Sequence, residues 1–350
     1  MEDALGSSGS RRAIIIIASL VAVGIVTWAL YVAFVDSVYT PQSTFLPESI
    51  QAARDRDVYM LIFVLAGIVF FAIMAVTLIF SLLYRERPGQ AARQFHGNSR
   101  LEVVWTLIPV VIVVIMAVPT FAALSDSAKA PPADALQVVA IGHQWWFEFQ
   151  YPELGITTAN ELHVPVDRAV YVTLESKDVI HSFWVPQLSG KVDMVPGHKN
   201  HLWFTPTQAR PEAYLAQCAE FCGVSHANMR FRVFVQSAAD FDAWAGNAKA
   251  ARIAPATDIA QSGEQQFTAS GCVGCHTVQG NATAVGKIGP DLTHFGGRTT
   301  MAAGIMDNTS ENVRRWLADP QAVKPGALMP NLNLSQDALD KLVPYLEGLK

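Results

Sequence analysis

Three long apolar runs without a charged residue occupy the first third of the chain, at residues 13–35, 58–84 and 103–125. Each run exceeds the roughly 20 residues that an α-helix needs to cross a bilayer core. The pattern therefore predicts membrane-spanning helices at the start of the chain, with the second and third runs forming a helical hairpin.

The charges that flank these runs predict their orientation. Residues 85–100, between the second and third runs, contain Arg85, Arg87, Arg93 and Arg100 against a single acid, Glu86. Because positively charged loops stay on the cytoplasmic side, we expect this segment inside the cell and everything after the third run outside it.

The first run has two interpretations. Arg11 and Arg12 precede it, as in a signal peptide, but the run is long and no clean Ala-x-Ala cleavage site follows. A cleaved signal and a retained anchor both remain open, and the length of the run favours the retained helix.

After the third run the spacing of hydrophobic residues becomes typical of β-strands and then, further along the chain, typical of helices. Segments such as 136–141, 169–174 and 230–235 alternate or enrich β-branched and aromatic residues, which predicts a small β-sandwich. Ten alanines among residues 238–260 predict a helical tether rather than core, and helical spacing resumes beyond it, which predicts an all-α domain. The predicted divisions are 1–57 (hydrophobic helix and outer loop), 58–125 (hairpin), 126–237 (sandwich), 238–257 (linker) and 258–350 (helical domain).

Composition agrees with a multidomain membrane protein. Hydrophobic residues make up 51% of the 350 residues, and the mean hydropathy is +0.25. The net charge of -5 is too small to indicate a nucleic-acid partner.

Two thiols, two imidazoles and a thioether occur in a pattern that suits copper. Cys218, Cys222, His226 and Met229 follow one another closely, and His181 lies upstream. Soft sulfur ligands combined with imidazole favour copper over magnesium or calcium, and two cysteines four residues apart can bridge a pair of metal ions. A disulfide between the two cysteines is the alternative, and a tetrahedral zinc site would have no use for the methionine.

A second metal motif lies near the C-terminus. Cys272-Val-Gly-Cys275-His276 has the c-type haem attachment pattern, with two thioether bonds and a histidine on the iron. Met329, followed by a proline, is the predicted sixth iron ligand. The alternatives Met301 and Met306 lie in a stretch that resembles a helix, where a core role is expected.

From residue 58 to residue 235 the chain resembles cytochrome c oxidase subunit II, and its haem-binding tail resembles the caa-type haem-copper oxidases. The resemblance implies a cupredoxin-like Greek-key sandwich that holds the dinuclear copper centre CuA, followed by a class I cytochrome c domain. It also implies a proton-pumping terminal oxidase in a bacterial membrane, with both outer domains on the extracytoplasmic face. Electrons from cytochrome c or a quinol-cytochrome c reductase complex would pass through haem c and CuA to subunit I, which reduces oxygen to water, with subunit III as a further partner.

The resemblance also implies roles for single residues. Glu220 would offer its backbone carbonyl to one copper and its side chain to a magnesium ion at the boundary with subunit I. Trp145 matches the tryptophan that receives electrons in the family, although Phe147 stands where a second tryptophan is usual. Glu102 matches a carboxylate at the mouth of a proton channel, although its place at a helix start would suit a merely interfacial group.

Two other functions share this ligand set. The chain would also suit the electron-input subunit of a CuA-type nitric oxide reductase, against which Glu102 argues, or a membrane-tethered electron shuttle with no fixed partner. A quinol oxidase subunit is disfavoured, because those subunits resemble this one in fold but lack the copper ligands.

Overall fold

The computed structural model describes residues 2–38, 40–85, 89 and 96–350. These residues form two compact units. One unit comprises residues 1–46 and 54–129, and the other comprises residues 47–53 and 130–350.

The first unit holds the apolar helices. They are α1 (Glu2–Val38), α2 (Ile50–Leu83) and α3 (Ser99–Ser127), and each contains a stretch long and apolar enough to cross a membrane. No residue of α3 is buried, so its apolar side chains need an apolar surrounding other than the chain itself. Of the basic segment predicted to lie in the cytoplasm, residues 86–88 and 90–95 lie outside the described residues.

Ten strands in the second unit form the predicted β-sandwich. The strands are β1 (Leu136–His143), β2 (Trp146–Tyr151), β3 (Ile156–Ala159), β4 (Glu161–Pro165), β5 (Val170–Ser176), β6 (His181–Trp184), β7 (Val192–Met194), β8 (Asn200–Phe204), β9 (Tyr214–Cys218) and β10 (Arg230–Gln236). One sheet has the order β3-β2-β1-β5-β8 and the other the order β4-β10-β9-β6-β7. Burial alternates along β5 and β10, because one face of each strand points into the shared core.

Helix α4 (Ala238–Lys249) occupies the predicted alanine-rich tether. The helical prediction is correct for residues 238–249 and wrong for residues 250–256, which have no helix. The expectation that this segment lies outside the core is also wrong. Phe241 is 4% exposed within the sandwich core, and the Trp244 ring stacks on His163 with the ring centroids 4.3 Å apart. Two aromatic residues at helical spacing are sufficient to attach an otherwise small-residue helix to the sheet.

The C-terminal part of the second unit is helical, as predicted. Its elements are α5 (Asp258–Ala269), β11 (Thr300–Met301), β12 (Met306–Asp307), α6 (Ser310–Ala318), α7 (Pro320–Val323) and α8 (Gln336–Glu347). Helices α5 and α8 approach so closely that a Cβ at Gly263 would lie 2.2 Å from the carbonyl oxygen of Lys341. The helix-like reading of the stretch around Met301 and Met306 is wrong, because β11 and β12 pair there as a two-stranded hairpin. The core role expected for Met301 is confirmed, since only 4% of it is exposed.

Candidate functional site

The predicted copper ligands meet at one end of the sandwich. Strands β9 and β10 are antiparallel neighbours, so the loop that joins them begins at Cys218 and returns at Met229. Strand β6 pairs with β9 and starts at His181. The topology therefore brings a residue from 37 positions upstream beside the loop.

The side chains of this loop and of His181 lie within reach of shared metal ions. The two cysteine sulfurs are 3.8 Å apart, and both cysteines are free thiols. The Nδ1 atoms of His181 and His226 lie 3.9 Å from Cys218 Sγ and 3.6 Å from Cys222 Sγ, respectively. Met229 Sδ lies 3.8 Å from Cys222 Sγ. Each sulfur thus has one imidazole beside it, which fits a pair of bridged metal ions and does not fit a disulfide.

An acidic residue orients the buried imidazole. His181 is fully buried, and its Nε2 lies 2.7 Å from Asp178 Oδ1. Burial alone would raise the pKa of Asp178, but hydrogen bonds from His181 and from the backbone of Gln144 and Val179 lower it overall. The carboxylate therefore stays ionised, holds the proton on Nε2 and leaves Nδ1 facing Cys218 as a ligand.

The same surroundings favour a thiolate. Hydrogen bonds, the largest of them from Cys222, lower the pKa of Cys218 and outweigh the burial that raises it. A thiolate is the form of cysteine that binds a metal ion.

Glu220 lies within this loop. Its backbone carbonyl oxygen is 3.2 Å from Cys218 Sγ, a position that fits the expected weak ligand. Among the described residues, the group of closely spaced metal-ligating side chains comprises His181, Cys218 and Cys222, and the Glu220 carboxylate is not part of it. The magnesium ligand therefore stays a prediction.

Trp145 contacts the loop that joins β9 and β10. It is 8% exposed, and its indole Nε1 donates to the carbonyl oxygen of Cys222 at 3.0 Å. The side-chain amide of Gln144 donates to the same oxygen at 2.8 Å. Phe147, in contrast, is fully buried in the core beside Phe231.

The haem attachment motif borders an apolar cavity. Cys272 and Cys275 lie in and just after a 3-10 turn that follows α5, and both line the cavity with His276. The Nδ1 of His276 donates to the carbonyl oxygen of Pro290 at 2.8 Å, which leaves Nε2 available to a metal ion. Met329 lines the cavity, as expected, but so does Met301.

Two features of the cavity fit a haem. A Cβ at Gly289 would lie 2.5 Å from Cε1 of His276, so the imidazole ring packs directly against the backbone of this glycine. Arg298 lines the cavity, and its buried Nε has no hydrogen-bond partner within the described residues. A buried guanidinium with an unpaired N–H suits an anionic group such as a haem carboxylate. Sequence reasoning missed this residue, since nothing in its spacing marks it.

The cavity wall includes residues of the sandwich. Gln144, Trp145, Trp146 and Asn160 line it together with the haem motif. The candidate haem cavity therefore lies against the end of the sandwich that holds the copper ligands, a proximity that the sequence did not predict.

Glu102 lies in the first turn of α3. The backbone N–H of Asn98 donates to its Oε1 at 3.2 Å, while the Asn98 side chain accepts from the N–H groups of Arg100 and Leu101. The two side chains form a reciprocal helix cap. A structural role for Glu102 is thus present whatever its part in proton transfer.

Comparison with known proteins finds three family matches. Residues 39–123 match the transmembrane domain of cytochrome c oxidase subunit II, residues 154–237 its periplasmic domain, and residues 260–350 cytochrome c. A cytochrome c oxidase subunit 2 of Alkalihalophilus pseudofirmus is 36% identical over 312 residues, which cover 87% of this chain and 90% of the relative. One from Bacillus subtilis is 36% identical over 76% of this chain and 80% of the relative. A quinol oxidase subunit 2 of Bacillus spizizenii is 32% identical over 61% of this chain and 69% of the relative.

Proposed function

Since this chain belongs to the cytochrome c oxidase subunit II family and continues into a cytochrome c domain, we propose that it accepts electrons at haem c and delivers them through CuA to subunit I of a terminal oxidase. It is a membrane protein with outer-face domains and a subunit of a haem-copper oxidase. The finer proposals are that the partner reduces oxygen to water, that the complex pumps protons, and that all three apolar helices are retained in a bacterial membrane.

The copper ligand cluster carries this proposal. Family membership alone leaves the donor open, because a quinol oxidase subunit is also related to this chain. The paired sulfurs 3.8 Å apart, with one imidazole beside each, favour a copper centre and therefore a cytochrome c as donor.

When bound, the two coppers and the haem supply the one-electron carriers. Cys218 and Cys222 would bridge the coppers, with His181 on one and His226 on the other. Met229 and the carbonyl oxygen of Glu220 would be weak ligands. Asp178 holds the His181 ring in place, and the strands on either side of the loop restrain the ligands, so little would rearrange when the charge changes.

The cytochrome c domain holds the haem through other residues. Cys272 and Cys275 would form the thioether bonds, and His276 and Met329 would bind the iron. Arg298 would pair with a haem carboxylate, which would accept from the Nε that has no other hydrogen-bond partner among the described residues.

The remaining roles concern partners. Trp145 would receive the electrons bound for CuA, Glu102 would lie at the mouth of the proton channel, and Glu220 would also bind magnesium beside subunit I. Subunit III would complete the complex, and cytochrome c or a quinol-cytochrome c reductase complex would supply electrons to haem c.

Isolation of the chain with its natural partners tests this function. We expect a tagged chain to co-purify with a haem-copper subunit, and the complex to consume oxygen when given reduced cytochrome c. A complex that reduces nitric oxide instead would support the reductase alternative. A chain without a haem-copper partner would support the shuttle, and either result would contradict the oxidase.

A further inference from the structure

The cytochrome c domain is joined to the sandwich by polar contacts that cluster around the copper ligands. Ser225, next to His226, donates through its hydroxyl to the carbonyl oxygen of Pro325. The N–H of Arg230, next to Met229, donates to the carbonyl oxygen of Ala303 at 3.0 Å. Contacts at these positions attach the domain to the loop that holds the metal ligands.

Glu161 forms one main contact of this boundary. It begins strand β4 and is 3% exposed. Its Oε1 accepts from the N–H and the hydroxyl of Thr299, at 2.8 and 2.7 Å, and from the N–H of Thr300 at 3.0 Å. A buried carboxylate is costly unless donors surround it, and all three of these donors belong to the cytochrome c domain.

Lys324 forms the other main contact. It follows α7 and is 4% exposed. Its Nζ donates to the carbonyl oxygen of Trp145 at 2.6 Å and to that of Ala302 at 3.3 Å. Within the described residues it has no carboxylate partner, so two carbonyl groups, one from each domain, are the acceptors that hold this buried amine.

The segment after Lys324 covers the indole. Gly326 has a φ of +81°, and a Cβ there would lie 3.2 Å from Cη2 of Trp145. A side chain at this position would be both strained and crowded. The close approach leaves Trp145 only 8% exposed.

We propose that Lys324 and Glu161 are the positioning residues of an interdomain latch that keeps the cytochrome c domain docked on Trp145 and closes this indole to a soluble donor protein. The inference rests on the proposed function, in which Trp145 receives electrons bound for CuA. A domain fixed at the indole makes the internal route independent of diffusion, and it leaves the cytochrome c domain as the place where an external donor docks.

The latch is tested in the complete oxidase with the variants Lys324→Met and Glu161→Gln and with the double variant. Lys341→Met is the matched control, because Lys341 lies in the same domain and forms only a surface ion pair with Asp337. Hydrogen exchange of the N–H groups of Arg230, Thr299 and Thr300 reports directly on the boundary. Exchange in β5 serves as an internal reference for a folded sandwich.

Loss of these hydrogen bonds should speed boundary exchange on the order of tenfold or more in the double variant, with smaller effects in the single variants. Exchange in β5 should match the wild type in all variants, and boundary exchange in the Lys341→Met control should also match it. After photoreduction of haem c, its reoxidation should slow in the double variant and become dependent on solvent viscosity, because a released domain must diffuse back.

Boundary exchange as slow as in the wild type in every variant would overturn the latch. If exchange in β5 is also faster in the double variant, the sandwich itself has lost stability in that variant. Boundary exchange in the two single variants, compared with the wild type, would then decide whether the latch exists. A wild-type complex that binds copper and haem but transfers no electron between them would contradict the proposed function, and the exchange result would still decide whether the latch exists.

Discussion

The indole Nε1 of Trp145 donates a hydrogen bond to the carbonyl oxygen of Cys222, at a distance of 3.0 Å. The backbone carbonyl oxygen of the same tryptophan accepts from Lys324. Trp145 thus contacts a predicted copper ligand through its ring and the cytochrome c domain through its backbone. This geometry is the basis for its proposed part in electron transfer.

Replacement of Trp145 by phenylalanine should separate electron transfer from copper binding. Trp145→Phe removes the hydrogen bond to Cys222, whereas Gln144 still donates to that oxygen. We expect full copper and haem content, with haem c reoxidation slowed severalfold, because the variant loses the indole and its bonded path to the Cys222 carbonyl. Flash photoreduction measures this rate, and Trp203→Phe on strand β8 is the control. An unchanged rate would remove Trp145 from the route.

Replacement of Cys222 by serine tests the bridging role. A hydroxyl is a poor substitute for a bridging thiolate, so Cys222→Ser should lose both coppers while the haem stays attached. Elemental analysis of the purified complex measures copper per haem. His201→Asn, an exposed imidazole on β8, should keep the wild-type ratio. Retention of two coppers by the serine variant would refute the bridge.

Two methionines line the haem cavity, and only one is proposed to bind the iron. Met329→Leu should remove the iron–sulfur ligand and change the optical spectrum of oxidised haem c, while Met301→Leu, with a similar volume, should leave that spectrum unchanged. Covalent haem content should stay the same in both variants. The reverse pattern would assign the ligand to Met301.

His163 makes the sandwich sensitive to acid. Its ring lies between Phe234 and Trp244, and burial lowers its pKa to about 4, although the bond to Gln236 raises it. The folded pKa lies below the unfolded value of 6.5, so the stability it contributes is complete above pH 6.5 and is lost as pH falls towards 4. The loss should amount to about 2–3 kcal/mol.

Chemical unfolding of residues 130–350 between pH 7 and pH 4 measures this loss. His163→Gln cannot bind the extra proton, so its free energy of unfolding should fall less steeply over the same range. Parallel curves for the two proteins would show that another group is responsible for the acid sensitivity.

Replacement of Glu102 by glutamine separates its role as a helix cap from a role in proton transfer. Glu102→Gln keeps an oxygen that accepts from Asn98, so α3 and the assembly of the complex should be preserved. If the residue serves the proton channel, oxygen reduction and proton uptake should fall severalfold, because an amide cannot carry the proton. Turnover equal to that of the wild type would exclude a role in proton transfer and leave helix capping as the role of Glu102.

Local patterns predicted much of this molecule. The apolar runs, the alternation in the strands and the close spacing of Cys218, Cys222, His226 and Met229 are properties of short segments, and a sequence displays them directly. His181 was found because its residue type completed a ligand set.

Contacts between distant segments were not predictable in this way. Lys324 resembles any surface lysine in the sequence, and its burial against Trp145 depends on how two domains meet. Arg298 gives no signal of its cavity position for the same reason. The helix α4 was misjudged because its alanines conceal the two aromatic residues that bind it to the sheet.

Copper and haem content, combined with electron paramagnetic resonance of the purified wild-type complex, test the central claim most directly. The account predicts two coppers on this chain for each haem c, with the spectrum of one unpaired electron shared equally by both coppers. A single copper with a mononuclear spectrum, or no copper and a disulfide between Cys218 and Cys222, would contradict the CuA assignment.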